Sequence, residues 1–150
     1  MSHTTTLKGI AIKDTTAIEQ AVADLQAKGV SISLLRDTTP RMYFREQERE
    51  IGVCEYVLKL PGRYDVGLKW DAEKQEYTAY MDTWGGDVRN AIGAACPLPS
   101  TDRDREGEHA IGAFTQRYGV NAAKNQAAAQ GYMVTERAAE DGTIHLEVQL

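Results

Sequence analysis

The stretch Tyr64-Asp65-Val66-Gly67-Leu68-Lys69-Trp70 lies between Pro61-Gly62 and the polar run Asp71-Ala72-Glu73-Lys74, and its reading decides the fold. Successive side chains of a strand point to opposite faces, so Tyr64, Val66, Leu68 and Trp70 share one face. Before it, residues 53–60 align Cys54, Tyr56, Leu58 and Leu60. After it, residues 76–82 set Tyr77, Ala79 and Met81 opposite Thr78 and Tyr80. Pro61-Gly62 is a turn signal, because proline presets the first turn dihedral and glycine accepts a positive one. Neither connection is long enough for a parallel crossover. The three segments therefore predict an antiparallel meander, with Leu68, Trp70 and Met81 among its packed residues.

Upstream, residues 4–13 are rich in threonine and isoleucine and read as a strand. Asp14-Thr15-Thr16 supplies helix N-cap chemistry, and Thr16 followed by Glu19 fits a capping box. Ile18, Ala21, Val22 and Leu25 recur at helical spacing, and Gly29 stands where a left-handed residue ends a helix. Residues 30–35 return as a strand. From 36 to 50 the apolar period disappears, which predicts a solvated loop.

Downstream, residues 85–108 hold glycines, two prolines and a charged run without apolar spacing, and read as a long loop with a helical turn within 88–96. A second helix is expected over 108–130, with Ile111, Phe114, Tyr118 and Ala122 on its inner stripe and Gly131 as its stop. Residues 132–137 and 143–150 close the chain as a hairpin turning on Glu140-Asp141-Gly142. The expected class is α+β: an antiparallel β-sheet of about six strands with two α-helices packed on one face, in a single domain over 1–150. Loop expansions are placed at 36–52 and 86–107, as the segments that are mobile or face a partner.

The chain has 150 residues, 42% of them hydrophobic, and a formal charge of -5, ordinary for a soluble globular domain able to bury its own core. An acidic total argues against nucleic acid, since phosphate neutralisation supplies most non-specific affinity. There is no secretory signal pattern and no apolar run of the ~18–20 residues that a membrane span needs. The protein is expected in the cytoplasm.

Cys54 and Cys96 have no CxxC partner, so a zinc site is not indicated and two reduced thiols are expected. Cys54 lies in an apolar strand, where burial makes a thiol inert. His3, His109 and His145 share no metal-ligand spacing, and no cofactor motif occurs. Removal of Met1 before the small Ser2 would spoil a terminal chelate at His3. The sequence lacks a nucleophile elbow and a phosphate-binding loop; Gly85-Gly86-Asp87 has no lysine.

Five residues remain as candidate contacts for a ligand or partner: Arg117, Gln116, Trp84, Asp82 and His145. Arg117 flanks the buried stripe of the second helix. It either pairs with a nearby carboxylate or offers its planar fork to an anion. Trp84 and Asp82 end the meander just before the long loop, where tryptophan either seals the core edge or lines a pocket mouth. His145 points to the polar face of the last strand, beside Glu147 and Thr143.

Six motifs run in one order: Met1-Ser2-His3, Ile12-Lys13-Asp14, Tyr64-Asp65-Val66-Gly67, Asp82-Thr83-Trp84-Gly85, Thr115-Gln116-Arg117-Tyr118 and Glu140-Asp141-Gly142-Thr143-Ile144. In these the chain resembles the family named for the hypothetical chloroplast reading frame thirty-five, seen in cyanobacteria, algal plastids, other bacteria and phages. The likeness covers residues 1–30 and 60–150 and is poor over 36–53 and 86–105. It implies a small, soluble, single-domain protein and brings no established catalytic residue. After Tyr118 the family often carries an aromatic and a histidine, where this chain has Val120 and Asn121.

The expected function is that of a non-enzymatic binding or accessory protein holding a protein partner or a small anionic ligand. The alternatives are a phage or mobile-element factor that sequesters a nucleotide signal or blocks a host protein, and a small hydrolase or transferase with a site near Asp82, Trp84, Arg117 and His145.

Overall fold

The computed structural model describes residues 4–6, 11–94, 106–140 and 143–149, with side chains described from residue 11 onward. His3, Ile10, Cys96 and the turn at Asp141-Gly142 lie outside the described residues. The elements run β1 (Thr4–Thr6), α1 (Thr15–Ala27), β2 (Ser33–Thr38), α2 (Arg45–Ile51), β3 (Cys54–Lys59), β4 (Val66–Asp71), β5 (Glu76–Asp82), a 3₁₀ turn (Trp84–Gly86), α3 (Asp87–Ile92), α4 (Glu106–Ala110), α5 (Gly112–Ala129), β6 (Met133–Ala138) and β7 (Ile144–Gln149).

The class is α+β, and the meander is antiparallel as expected. Leu58 pairs with Val66, and Leu68 with Ala79. The main sheet has the order β1-β5-β4-β3-β2, while β6 and β7 form a separate two-stranded sheet. The strands therefore do not make one sheet of about six.

One face of the main sheet carries the larger core, in which Leu58, Val66, Leu68, Ala79 and Met81 meet Ile18, Ala21, Val22 and Leu25 of α1 and Phe114 and Tyr118 of α5. Val57, adjacent to Leu58 and so on the opposite face, packs with Met42, Ile51 and Cys54. The second face is thus partly covered by α2 and the segment before it, and the helices do not all share one face. Trp70 also departs from expectation: it is 38% exposed and sets its ring edge-on to Tyr77 instead of entering the core.

Local chemistry explains the shifted boundaries. Helix α1 starts two residues before the expected capping box. Its N-cap is Asp14, whose carboxylate accepts from Ala17 N at 3.0 Å, and Thr16 is exposed in the first turn. At its far end Gly29 has φ 92, and Gly29 N and Val30 N donate back to Gln26 and Leu25 carbonyls. The chain is committed to this helix stop through Val30, so β2 begins at Ser33.

Residues 36–50 are not a continuous loop. β2 runs to Thr38 and α2 follows, but α2 has a single buried residue, Ile51, and so no apolar period to read. The segment that leads into it is held by carboxylates. Arg41 N donates to Asp65, Met42 N to Glu48 and Tyr43 N to Asp82. The Arg41 guanidinium also grips both oxygens of the buried Asp65. The second long helix is likewise broken at Ile111 into α4 and α5, where Ala94 N donates to His109 O at 2.8 Å.

Candidate functional site

The structure separates the five candidate residues. Arg117 lies where α1, α5 and β6 meet. Its Nε and Nη2 donate to Asp24 at 3.0 and 2.8 Å, and its Nη1 and Nη2 reach the two oxygens of Glu136, both at 3.0 Å. The side chain is only 9% exposed. Asn121, one helical turn on, donates to the same Asp24 oxygen, and Lys124 pairs with Glu136.

These partners hold Glu136 down to a pKa of about 2, first through the Arg117 hydrogen bonds and then through Lys124. Burial pushes Asp24 upward, but the bonds from Asn121 and Arg117 outweigh it and leave this carboxyl below its ordinary value. The guanidinium is engaged on both carboxylates, so the arrangement joins two helices to a hairpin.

Gln116 is exposed on α5. His145 is exposed on β7 opposite Arg137, on the hairpin face away from Glu136, which pairs with Leu146.

Asp82 and Trp84 do come together, at the end of β5, with partners that the sequence reading missed. Asp82 is fully buried and accepts from Trp84 N and Tyr43 N, both at 3.0 Å. One carboxylate thereby fixes two aromatic residues from distant parts of the chain. Their rings lie 5.6 Å apart, and Phe44 stands edge-on to Tyr43 at 4.7 Å. The Arg63 guanidinium sits over both Tyr64 and Trp84, at 5.2 and 5.3 Å from the ring centroids.

Asp87, the first residue of α3, holds Arg63 there by accepting from its backbone N, Nε and Nη2. Those bonds lower the Asp87 carboxyl and raise the Arg63 guanidinium. Gly85 allows the approach: its φ is 72, and a Cβ there would lie 2.5 Å from Arg63 Nη2.

The surface that results is unusual in its exposure. Tyr43 is 50% and Phe44 49% exposed, beside a partly exposed Trp84 and an arginine laid across it. Phe44 is also the N-cap of α2, without a side-chain capping bond, at a position that favours Ser, Thr, Asp or Asn. In the sequence, two adjacent aromatics inside an otherwise charged, aperiodic run were the available signal.

Among the described residues, no group of three His, Cys, Asp or Glu side chains could hold a metal ion. Cys54 is buried, and its thiol is raised to about 11, chiefly by that burial. No described helix is long and apolar enough to cross a membrane.

The fold and this surface define an α+β protein with an arginine-braced aromatic patch. The chain belongs to the family described as protein of unknown function (DUF1257), whose model matches residues 32–147. That match takes in the meander, the aromatic patch and the Arg117 helix, and leaves out β1 and α1. Searches among curated proteins and among solved structures find no significant match.

Proposed function

We propose that this is a cytoplasmic, non-enzymatic binding or accessory protein whose protein partner docks on Tyr43, Phe44, Trp84 and Arg63. The observation that carries the reading is the half-exposed pair Tyr43 and Phe44, with the Tyr43 and Trp84 backbones both bonded to the buried Asp82. Tyrosine, tryptophan and arginine dominate the binding energy of interfaces because they present large, stiff, amphipathic area at low entropic cost. Asp82 acts here as a positioning residue and Trp84 as a contact.

Arg117 has a different part in this reading. With its donors on Asp24 and Glu136 it is a structural clamp, not a ligand contact. The hydrolase or transferase alternative gains no support, because Arg117 and His145 stand apart from Asp82 and Trp84. The likeness to the chloroplast reading-frame family fits an accessory role and adds no chemistry of its own.

A photo-crosslinking phenylalanine analogue at Phe44, introduced in cells that express the protein, tests the reading. A discrete protein adduct is expected there, and none from the same group at the exposed Gln116. Equal labelling from both positions, or none from Phe44, would remove the patch as the docking site.

A further inference from the structure

Hairpin β6–β7 pairs Met133 with Gln149 through to Ala138 with Ile144, and among the described residues no further strand continues this sheet. A two-stranded hairpin is marginal in water without added strands or a packed helix. Here α5 covers part of one face, yet Val148 on that face is 51% exposed and Met133 on the other is 72% exposed.

The β2 edge of the main sheet is blunted: it carries Arg36-Asp37, with Asp37 at φ 52 disturbing a flat strand. Strand β7 has no such device. Ile144-His145-Leu146-Glu147-Val148-Gln149 contains no proline, glycine or lysine and alternates without a break.

That strand is complementary to itself. In an antiparallel two-fold pairing centred on Leu146, Leu146 meets Leu146 of the second copy and Ile144 meets Val148. On the other face His145 meets Glu147, twice by symmetry. Neighbouring registers fail. An axis on Glu147 opposes two carboxylates, and an axis on His145 opposes two imidazoles. An axis between Leu146 and Glu147 does not arise, because the two-fold keeps each residue on its own face and residues opposite each other must share a face. On β6 an axis on Thr135 sets Val134 against Glu136, an axis on Glu136 brings two carboxylates together, and an axis on Val134 leaves only residues 133–135 of the strand paired.

We propose that β7 is a dimerisation edge whose occupant is a second copy of this chain, giving a four-stranded sheet β6-β7-β7-β6 across a two-fold axis. Such an interface is closed, because each copy uses the same strand. It gives His145 and Glu147 a shared role and covers Val148 with Ile144 of the second copy.

Sedimentation equilibrium over a range of concentrations tests this with three chains. The wild type is expected to dimerise. Glu147→Lys places a cation opposite the imidazole and is expected to weaken the dimer by about tenfold. His145→Glu combined with Glu147→Lys sets a carboxylate opposite the new cation and is expected to restore it. Within the hairpin, position 145 faces Arg137 and position 147 faces Thr135, so neither variant sets like charges directly across it. A second measurement does not depend on charge. In a Cys96→Ser background, Leu146→Cys should cross-link to itself under mild oxidation, whereas Val148→Cys should not. A monomeric wild type, association beyond a dimer, charge variants that dimerise equally, or self-cross-linking at 148 in preference to 146 would each overturn the proposal.

Discussion

At the scale of single residues, Gly67 shows how tightly the second core is built. It is buried as the second residue of β4 and pairs with Val57 and Tyr80. A Cβ on it would stand 2.7 Å from both Cys54 Sγ and Pro40 Cγ. Neither neighbour is the far end of a flexible chain, so the overlap must be relieved by shifting β3 or the segment before α2. Gly67→Ala should therefore destabilise the fold by about 1–3 kcal/mol, the usual range for overpacking a filled core. A lowered urea midpoint with an unchanged slope would show this. A neutral substitution would mean that the contact between Cys54 and Pro40 yields freely. This position was readable from the sequence only as one interruption in an apolar strand, because the atoms that crowd it come from residues 13 and 27 positions away.

At the scale of elements, the Arg117 clamp governs how the fold responds to acid. Glu136 titrates at about 2 in the folded chain against an ordinary 4.5, and Asp24 is lowered as well. A depressed folded-state pKa means that the unfolded chain binds more protons over the interval. The stabilisation is therefore complete above the ordinary carboxyl range and is lost as pH falls through about 2. Urea midpoints should decline between pH 5 and pH 2 as the unfolding free energy falls by about 3 kcal/mol at most from Glu136, and less after solvent screening. Arg117→Ala should cost about 1–3 kcal/mol at neutral pH and flatten that acid dependence, though Lys124 would keep part of it. An unchanged pH profile in the variant would show that the clamp does not carry the linkage.

The same scale shows what was legible and what was not. Helix α1, the meander and the inner stripe of α5 announced themselves because each buries one periodic face. Helix α2 did not, since Ile51 alone is buried and the segment before it is held by Asp65 and Asp82, 24 and 39 positions away, and by Glu48 of α2 itself. Alternation revealed β6 and β7 as strands, but it cannot say which sheet a strand joins. For the candidate site, Asp82 and Trp84 were visible at the end of the meander. Tyr43, Phe44 and Arg63 come from two other connections and are gathered only by the folded backbone. Arg117 was legible as a flanking arginine, whereas its partners Asp24 and Glu136 lie 93 and 19 positions away.

At the scale of the whole molecule, one hydroxyl of α5 fixes the chain where it enters α1. Tyr118 of α5 places its oxygen 2.8 Å from Lys13 N and 2.9 Å from Asp14 N, accepting from the two backbone groups that lead into α1. Its ring is buried beside Phe114, and Asp14 is at the same time the N-cap of α1. Asn125, two turns along α5, donates to the second oxygen of Asp14 and to Gln20. The start of α1 is therefore fixed from α5 rather than by its own sequence alone. Tyr118→Phe keeps the ring and its packing and removes only the acceptor. Two part-buried N–H groups are then left without it, which should cost about 1–3 kcal/mol. The loss should be local as well as global: amides of the first turn of α1 should exchange faster with solvent, while those of β3, β4 and β5 keep their relative protection. Exchange that rises equally in the helix start and the meander would mean that the hydroxyl supports the whole fold as one unit. No change at the helix start would mean that water replaces it at no cost.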